Sequence, residues 1–553
     1  MPQQPPRVRV ERLPFRATGQ FAARDVAYAE GDERLAPFRA YAPTLADFDD
    51  ALAARAGHPV DRETLVAVIR DQYAAYGLEP PPGAGALIEP TTYTVTTAHQ
   101  ASLFLGPLYY VYKILSAVRL ARDLNARWGE RARVVPVFVL GDEDHDLDEI
   151  DHVRVRGEVV TWRTEQTGAT GQMTLAGIEP ALARVEALLG PGTSAREIVD
   201  LLRACYRPER TLGEATAHFV AALFGPLGVA VVRLGDPRLK ANFAASLRRE
   251  ALEHLSKPLV EAAVAELEAA GFAQQAHARD VNLFYLRPGR RDRLVALGGG
   301  GVGVHGTDIA WSRDEAEVEI AAHPERFSPN VVTRPLYQEA TLPNLAYVGG
   351  GGELAYWLER RSQFAAFGIP YPVLVRRDSA WWIGRRAARM LGRLGLGYRD
   401  LLGDEHELAR RFVAAEAEVS VDLSAEAARV RAVFEELSRR ALAVDPSLEM
   451  RALAHGTRAA QAVEDLERRF VRALKRRSEV ALDRIDRLRA ELLPGGGLQE
   501  RSTSFLDLYA THGPTLFDVL LEAFDPLDMR LKVFLESADG DGAEGREVVA
   551  DDG

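Results

Sequence analysis

One cysteine, Cys205, stands in 553 residues, so no disulfide can close within the chain. Such scarcity of cysteine in a long chain fits a reducing compartment. No apolar run approaches the roughly 20 residues that a membrane span requires. The N-terminus reads MPQQPPRVRVERLPF, and a cytoplasmic location with no membrane partner is the expectation. Basic footprints are also missing. The net charge is −12, and acids collect in the tail ADGDGAEGREVVADDG, which argues against nucleic acid as a partner and marks 538–553 as a disordered acidic tail. No GxxxxGK[ST] occurs, and no GxGxxG follows the β-rich run TYTVTT. What remains is 47% apolar and 27% charged, the balance of a globular protein with enough length for two or three packed units.

Residues 1–90 carry Pro-rich breaks around two helical patterns, 44–55 and 62–76, and read as a helical lead-in. At Tyr93 the pattern changes to a β-rich TYTVTT, a loop AHQASLFL, Gly106–Pro107 and a long amphipathic helix, LYYVYKILSAVRLARDLNARW, with Pro107 at its first position. The strand VVPVFVLG follows, so strand, helix and strand make a βαβ unit with a parallel pair. Later segments give β-like HVRVRGEVVTW and GQMTLAG, helical patterns at 195–224, and a strand LGVAVVRLG. Helices near 239–254 and 258–270 precede a small antiparallel module at LFYLRPGRRDRLVALGGGGVGV, in which Gly298–Gly301 marks a turn. A strand LAYVGG, a helix through Phe367 and a strand PVLVRR then return to the core.

The fold expectation is therefore α/β. A parallel-sheet core is assembled from 91–160, 195–260 and 324–395, with connecting modules at 161–194 and 271–323. Beyond residue 396 the chain reads as wholly helical. Leu423, Ala427, Val430, Phe434, Leu437 and Ala441 recur at alternating spacings of four and three, the signature of a coiled-coil seam. After Asp445–Pro446 a second helix carries Val463, Leu466, Phe470 and Leu474, then Leu482, Ile485, Leu488 and Leu492. An antiparallel coiled-coil domain over 396–497 is the expectation, with 498–537 returning to the core.

Three stretches could carry chemistry. The acidic run Gly141–Asp142–Glu143–Asp144–His145–Asp146–Leu147–Asp148–Glu149 follows a parallel strand, where ligands of open α/β sheets bind. Asp144 or Asp146 could act as a base, His145 as a proton carrier, or several together could hold Mg²⁺; a solvated acidic loop is the plain alternative. Thr97, His99 and Gln100 lie at another strand end, ahead of a helix that starts near Gly106 and whose unpaired N–H groups suit an anion. In the third, four glycines, Gly349–Gly352, sit between a strand and a helix. Gly350 allows close backbone approach to a ligand, and Glu353 would favour a cationic group such as an amine. Arg334 could pair with a carboxylate. Cys205 reads as a core residue, and no metal ligand set is assigned.

Taken in order, TTAHQASLFLGPLYYVYKILSAVRLA, VVPVFVLGDEDHDLDEIDHV, PERFSPNVVTRPLYQEATLPNLAYVGGGGELAYW and LQERSTSFLDLY resemble the BshC family of bacillithiol biosynthesis across nearly the whole chain. The resemblance implies a Rossmann-like core with inserted connecting modules and a C-terminal α-helical coiled-coil domain that forms a homodimer. It also implies a ligase that adds cysteine to the amine of glucosaminyl malate. Because an amide does not form from a free carboxylate in water unaided, ATP is the expected co-substrate, with Mg²⁺ as an optional helper. The anion being activated would lie near His99 and Gln100, and Asp144, His145 or Asp146 would take the amine proton. Two rivals stand beside this: a metal-dependent hydrolase built on the acidic run, and a non-catalytic coiled-coil scaffold. Convergence of His99, His145 and Glu353 on one pocket would count against the scaffold.

Overall fold

The computed structural model describes residues 8–415 and 422–537, so the tail 538–553 lies outside it. The described chain divides into two compact units, one made of residues up to 382 with 498–537, the other of 383–497.

Five strands build the centre of the first unit: β1 (Thr92–Gln100), β2 (Arg133–Gly141), β3 (Ala230–Arg233), β4 (Asn344–Gly349) and β5 (Val373–Arg376). They lie in the order β5-β4-β1-β2-β3, and every neighbouring pair is parallel. The α/β, Rossmann-like expectation is met. Strands buried on both faces carry continuous β-branched and apolar side chains rather than an alternation, which is why TYTVTT and VVPVFVL look as they do. Pro136 offers no N–H to a neighbour, and it sits just ahead of Val137, where pairing with β3 begins. The chain winds outward from β1 to β3, then crosses back to lay down β4 and β5. That reversal opens a crevice beyond the carboxyl ends of β1 and β4.

Helix α1 (Leu108–Trp128) follows β1 and is buried along most of its first half. Pro107 is not its first residue. Its backbone is extended at the N-cap, it bridges to Ser504, and the Leu108 N–H donates to the Thr503 carbonyl at 2.8 Å. Helices α2 (Arg334–Thr341) and α3 (Gly351–Leu358) flank β4. The lead-in helices span Leu45–Ala56 and Arg62–Tyr76, capped by Thr44 and Asp61 side chains that accept the N–H groups of Asp47 and Thr64.

Some readings change. The lead-in also contains a strand, Val8–Pro14, which pairs antiparallel with Arg530–Glu536; its partner lies at the far end of the sequence, beyond the reach of local patterning. GQMTLAG is not a strand but a short helical turn, Thr170–Gln172. Gly171 has to approach Asp142, whose carbonyl it meets at 3.0 Å. The antiparallel module forms as expected, with the glycine turn at positive φ for Gly299 and Gly300. It extends beyond 323, because Phe327–Pro329 adds to it as an edge strand beside Leu283–Arg287.

The second unit holds the helical hairpin of α4 (Ser424–Val444) and α5 (Pro446–Arg477), followed by α6 (Glu479–Leu492). It runs antiparallel. Glu467 accepts the Leu423 N–H, Arg431 pairs with Glu464, and Phe434 lies where a side chain on Gly456 would have to go. Along α4 the seam departs from the expected one at one step: Leu437 is 43% exposed and Ser438 is buried instead. A straight helix drifts against a strict seven-residue repeat, and here the drift moves the seam by one residue. Leu466 and Phe470 are also exposed, while Ile485, Leu488 and Leu492 are buried as expected; the Leu474 side chain lies outside the described ones. Among the described residues no helix is long and apolar enough to cross a membrane.

Candidate active site

The crevice at the strand ends is a cavity of about 560 Å³ that lies wholly in the first unit. Each of the five strands delivers residues to it at or just past its carboxyl end: Gln100, Asp144, Gly235, Gly350 and Arg377 among them.

His99 and Gln100 end β1. The His99 ring sits between two contacts, Nε2 3.2 Å from the Tyr109 hydroxyl and Nδ1 3.3 Å from the Gln100 carbonyl. Burial, reinforced by the Lys113 ammonium, pushes its pKa down to about 3, so the imidazole is neutral near pH 7. The Gln100 amide donates to Asp144 at 2.7 Å and to Glu149 at 3.3 Å, bridging the ends of β1 and β2.

The acidic run does not converge on one point. Asp142 pairs with Arg233 at 2.7 Å, Glu143 with Lys240 at 2.9 Å, and Asp144 with Arg291 at 3.4 Å. Burial works to raise the Asp144 pKa, but His145, Arg291 and Gln100 outweigh it and hold the carboxyl well below the usual range. Arg291 arrives from the antiparallel module, its guanidinium stacked 3.9 Å from the Phe284 ring centre.

Opposite, Glu353 is the third residue of α3 and its carboxylate reaches back to the Gly350 N–H at 2.8 Å, satisfying one of the donors a helix start leaves open. The Tyr347 hydroxyl donates to it at 2.6 Å and Lys113 lies 2.7 Å away. Burial opposes the charge, yet Lys113 and the Gly350 N–H together hold Glu353 at about 2. Arg334 donates to the Tyr356 hydroxyl at 2.7 Å; burial acts against its charge, and Tyr356, Tyr347 and Glu353 more than compensate. Arg377 is gripped by Glu500 at 2.7 Å, while its Nε has no hydrogen-bond partner among the described residues.

Of the residues expected from sequence, His99, Gln100, Asp144, Arg334, Gly350 and Glu353 line this cavity. Thr97, Gly106, His145 and Asp146 do not. The Thr97 hydroxyl donates to the Val348 carbonyl at 2.8 Å and ties β1 to β4. Gly106 is a buried turn residue at φ 54°. His145 is exposed, its Nδ1 2.8 Å from Arg291, and Asp146 is exposed as well. The start of α1 is closed to an anion at its first N–H, which Thr503 already accepts. Sequence reading missed Tyr109, Lys113, Arg291 and Arg377, and it took Glu149 only as part of the acidic run. Lys113 had a signal, a lone lysine within the apolar YYVYKIL, and Arg377 had another, its place at the end of PVLVRR; Arg291 had none.

Against known proteins, the model described as bacillithiol biosynthesis BshC, N-terminal Rossmann-like domain, matches residues 8–378. The model of the BshC C-terminal coiled-coil domain matches residues 380–536. A protein of Christiangramia forsetii is 34% identical over 478 residues, 85% of this chain and 88% of its own length. Others from Flavobacterium johnsoniae and Cytophaga hutchinsonii are 31% and 32% identical, covering 94% and 95% of this chain and 98% of each relative. All three are named as candidate cysteine ligases, BshC. With both domain models matched in order and relatives aligned over most of their length, the chain belongs to the BshC family of bacillithiol biosynthesis.

Proposed function

We propose that this protein is a cysteine ligase that joins cysteine to the amine of glucosaminyl malate through an amide bond, with ATP activating the cysteine carboxylate and Mg²⁺ accompanying the nucleotide. The observation that carries this reading is the crevice at the chain reversal, in a family whose relatives are named for cysteine ligation. Arg291, Arg334, Arg377 and Arg501 line it and suit anionic groups; Asp144 and Glu149 suit an amine. Of the three residues whose convergence would count against a scaffold, His99 and Glu353 line the crevice and His145 does not, while Asp142, Glu143 and Asp144 are divided among three cations rather than gathered for a metal-dependent hydrolase. Asp144, with its depressed pKa, is better suited to hold an ammonium than to remove its proton.

The test is mass-spectrometric detection of the cysteinyl amide after incubation of purified protein with cysteine, glucosaminyl malate and Mg²⁺, with and without ATP. Product only with ATP supports the ligase, and AMP or ADP identifies the activated intermediate. No product from folded protein in either arm overturns the reading.

A further inference from the structure

We propose that Tyr109 presents a fixed hydrogen-bond acceptor to the cavity, where its hydroxyl oxygen takes an N–H of the ligand's amine. The inference rests on the amine-bearing substrate proposed above, but its geometric basis is independent of it. The Gln100 carbonyl faces His99 Nδ1 at 3.3 Å and also accepts the Tyr110 hydroxyl at 3.1 Å. A carbonyl can only accept, so Nδ1 carries the proton of the imidazole. A neutral imidazole has one N–H, which leaves Nε2 as an acceptor 3.2 Å from the Tyr109 hydroxyl. The single phenolic proton is therefore committed to His99. Only lone pairs remain on the Tyr109 oxygen for a ligand.

The hydroxyl is held in this orientation from both sides. The Tyr109 ring lies 5.4 Å from the Arg377 guanidinium, itself fixed by Glu500, and the His99 ring lies 4.4 Å from that of Tyr110. Burial keeps His99 neutral. The same cavity presents Asp144 and Glu149, joined through the Gln100 amide. A primary ammonium, with three N–H donors, matches a phenol oxygen and carboxylates. A ligand carboxylate finds no donor at Tyr109.

The test compares full-length wild type with Tyr109→Phe, which keeps the ring over Arg377 and removes only the hydroxyl. Calorimetry measures binding of glucosaminyl malate and of its 2-deoxy analogue, which lacks the amine, and ¹⁵N spectra of histidine-labelled protein, with His99→Gln to assign the signal, report the tautomer. Tyr109→Phe should weaken the free amine about 10-fold and leave the 2-deoxy compound unchanged. His99 should be protonated at Nδ1, with an Nε2 resonance that moves when the hydroxyl is removed. Unchanged affinity for the amine, equal losses for both ligands, or a His99 protonated at Nε2 overturns the inference. If the wild type binds neither sugar, the substrate reading fails, and the ¹⁵N result alone upholds or overturns the fixed acceptor.

Discussion

The Lys113 ammonium lies 2.7 Å from the Glu353 carboxylate, joining the helix that follows β1 to the helix that follows β4 across the chain reversal. Lys113 is buried and its other bond goes to the Ala98 carbonyl. Removing Lys113 leaves the Glu353 carboxylate, only 26% exposed, without its cation. Lys113→Met should therefore destabilise the first unit by about 3 kcal/mol, measured by urea unfolding. Adding Glu353→Gln to it should recover part of the loss. A double variant less stable than the sum of the two single changes would contradict a pair that works as a unit.

Adjacent glycines in the first turn of α3 should respond in opposite ways. A Cβ on Gly351 would lie 2.3 Å from the Asp25 carboxylate, and Asp25 cannot yield easily because Arg376 holds both its oxygens, at 2.8 and 3.1 Å. Among the described residues nothing lies within 4 Å of a Cβ on Gly352. Gly351→Ala should cost about 1–3 kcal/mol, whereas Gly352→Ala should stay within about 0.5 kcal/mol or gain slightly, since it sits in a helix. Differential scanning calorimetry of the two variants decides; similar melting of both would rule out Asp25 as the constraint.

Behind Arg334 lies a buried acid, Glu339, linked to it through Gln338. Burial raises Glu339 from 4.5 to about 7, against the opposing effects of Arg55, Gln338 and Asn344. A carboxyl raised on folding contributes stability below its unfolded value, and that contribution is lost as pH rises through the folded one. Wild type should thus lose stability between about pH 4.5 and 7 at this position, with an upper bound of about 3 kcal/mol. Glu339→Gln does not titrate and should gain on wild type at pH 8 relative to pH 5. Urea unfolding at both pH values reads the difference, and equal offsets would refute a titrating Glu339.

The sequence made visible those features that local pattern determines. β1 and β2 declare themselves by β-branched runs, and His99, Gln100 and Asp144 by their places at strand ends. Val8–Pro14 could not be read in the same way, since it is completed only by Arg530–Glu536. The acidic run was misleading in a definite manner. Side chains adjacent in sequence are turned to different partners, so that of Asp144, His145 and Asp146 only Asp144 faces the cavity. Arg291 comes from a separate module, and no periodicity relates it to the site it completes.

The homodimer implied by the family resemblance can be assigned a face on the hairpin. Phe434 is used within it, against Gly456, whereas Val433, Leu437 and Val444 are 56%, 43% and 80% exposed on the outer side of α4. Their spacings of four and seven place them in one stripe, and exposed apolar stripes mark association surfaces. We propose that this stripe forms the contact between two copies. Val433→Glu with Leu437→Glu should convert a dimer to a monomer in light scattering while leaving helical circular dichroism intact. Phe434→Glu should instead lose helicity, because a charge would enter the hairpin's own seam. An unchanged mass for the outer-face variant would exclude that stripe as the contact, and intact helicity in Phe434→Glu would show that the seam does not depend on its packing.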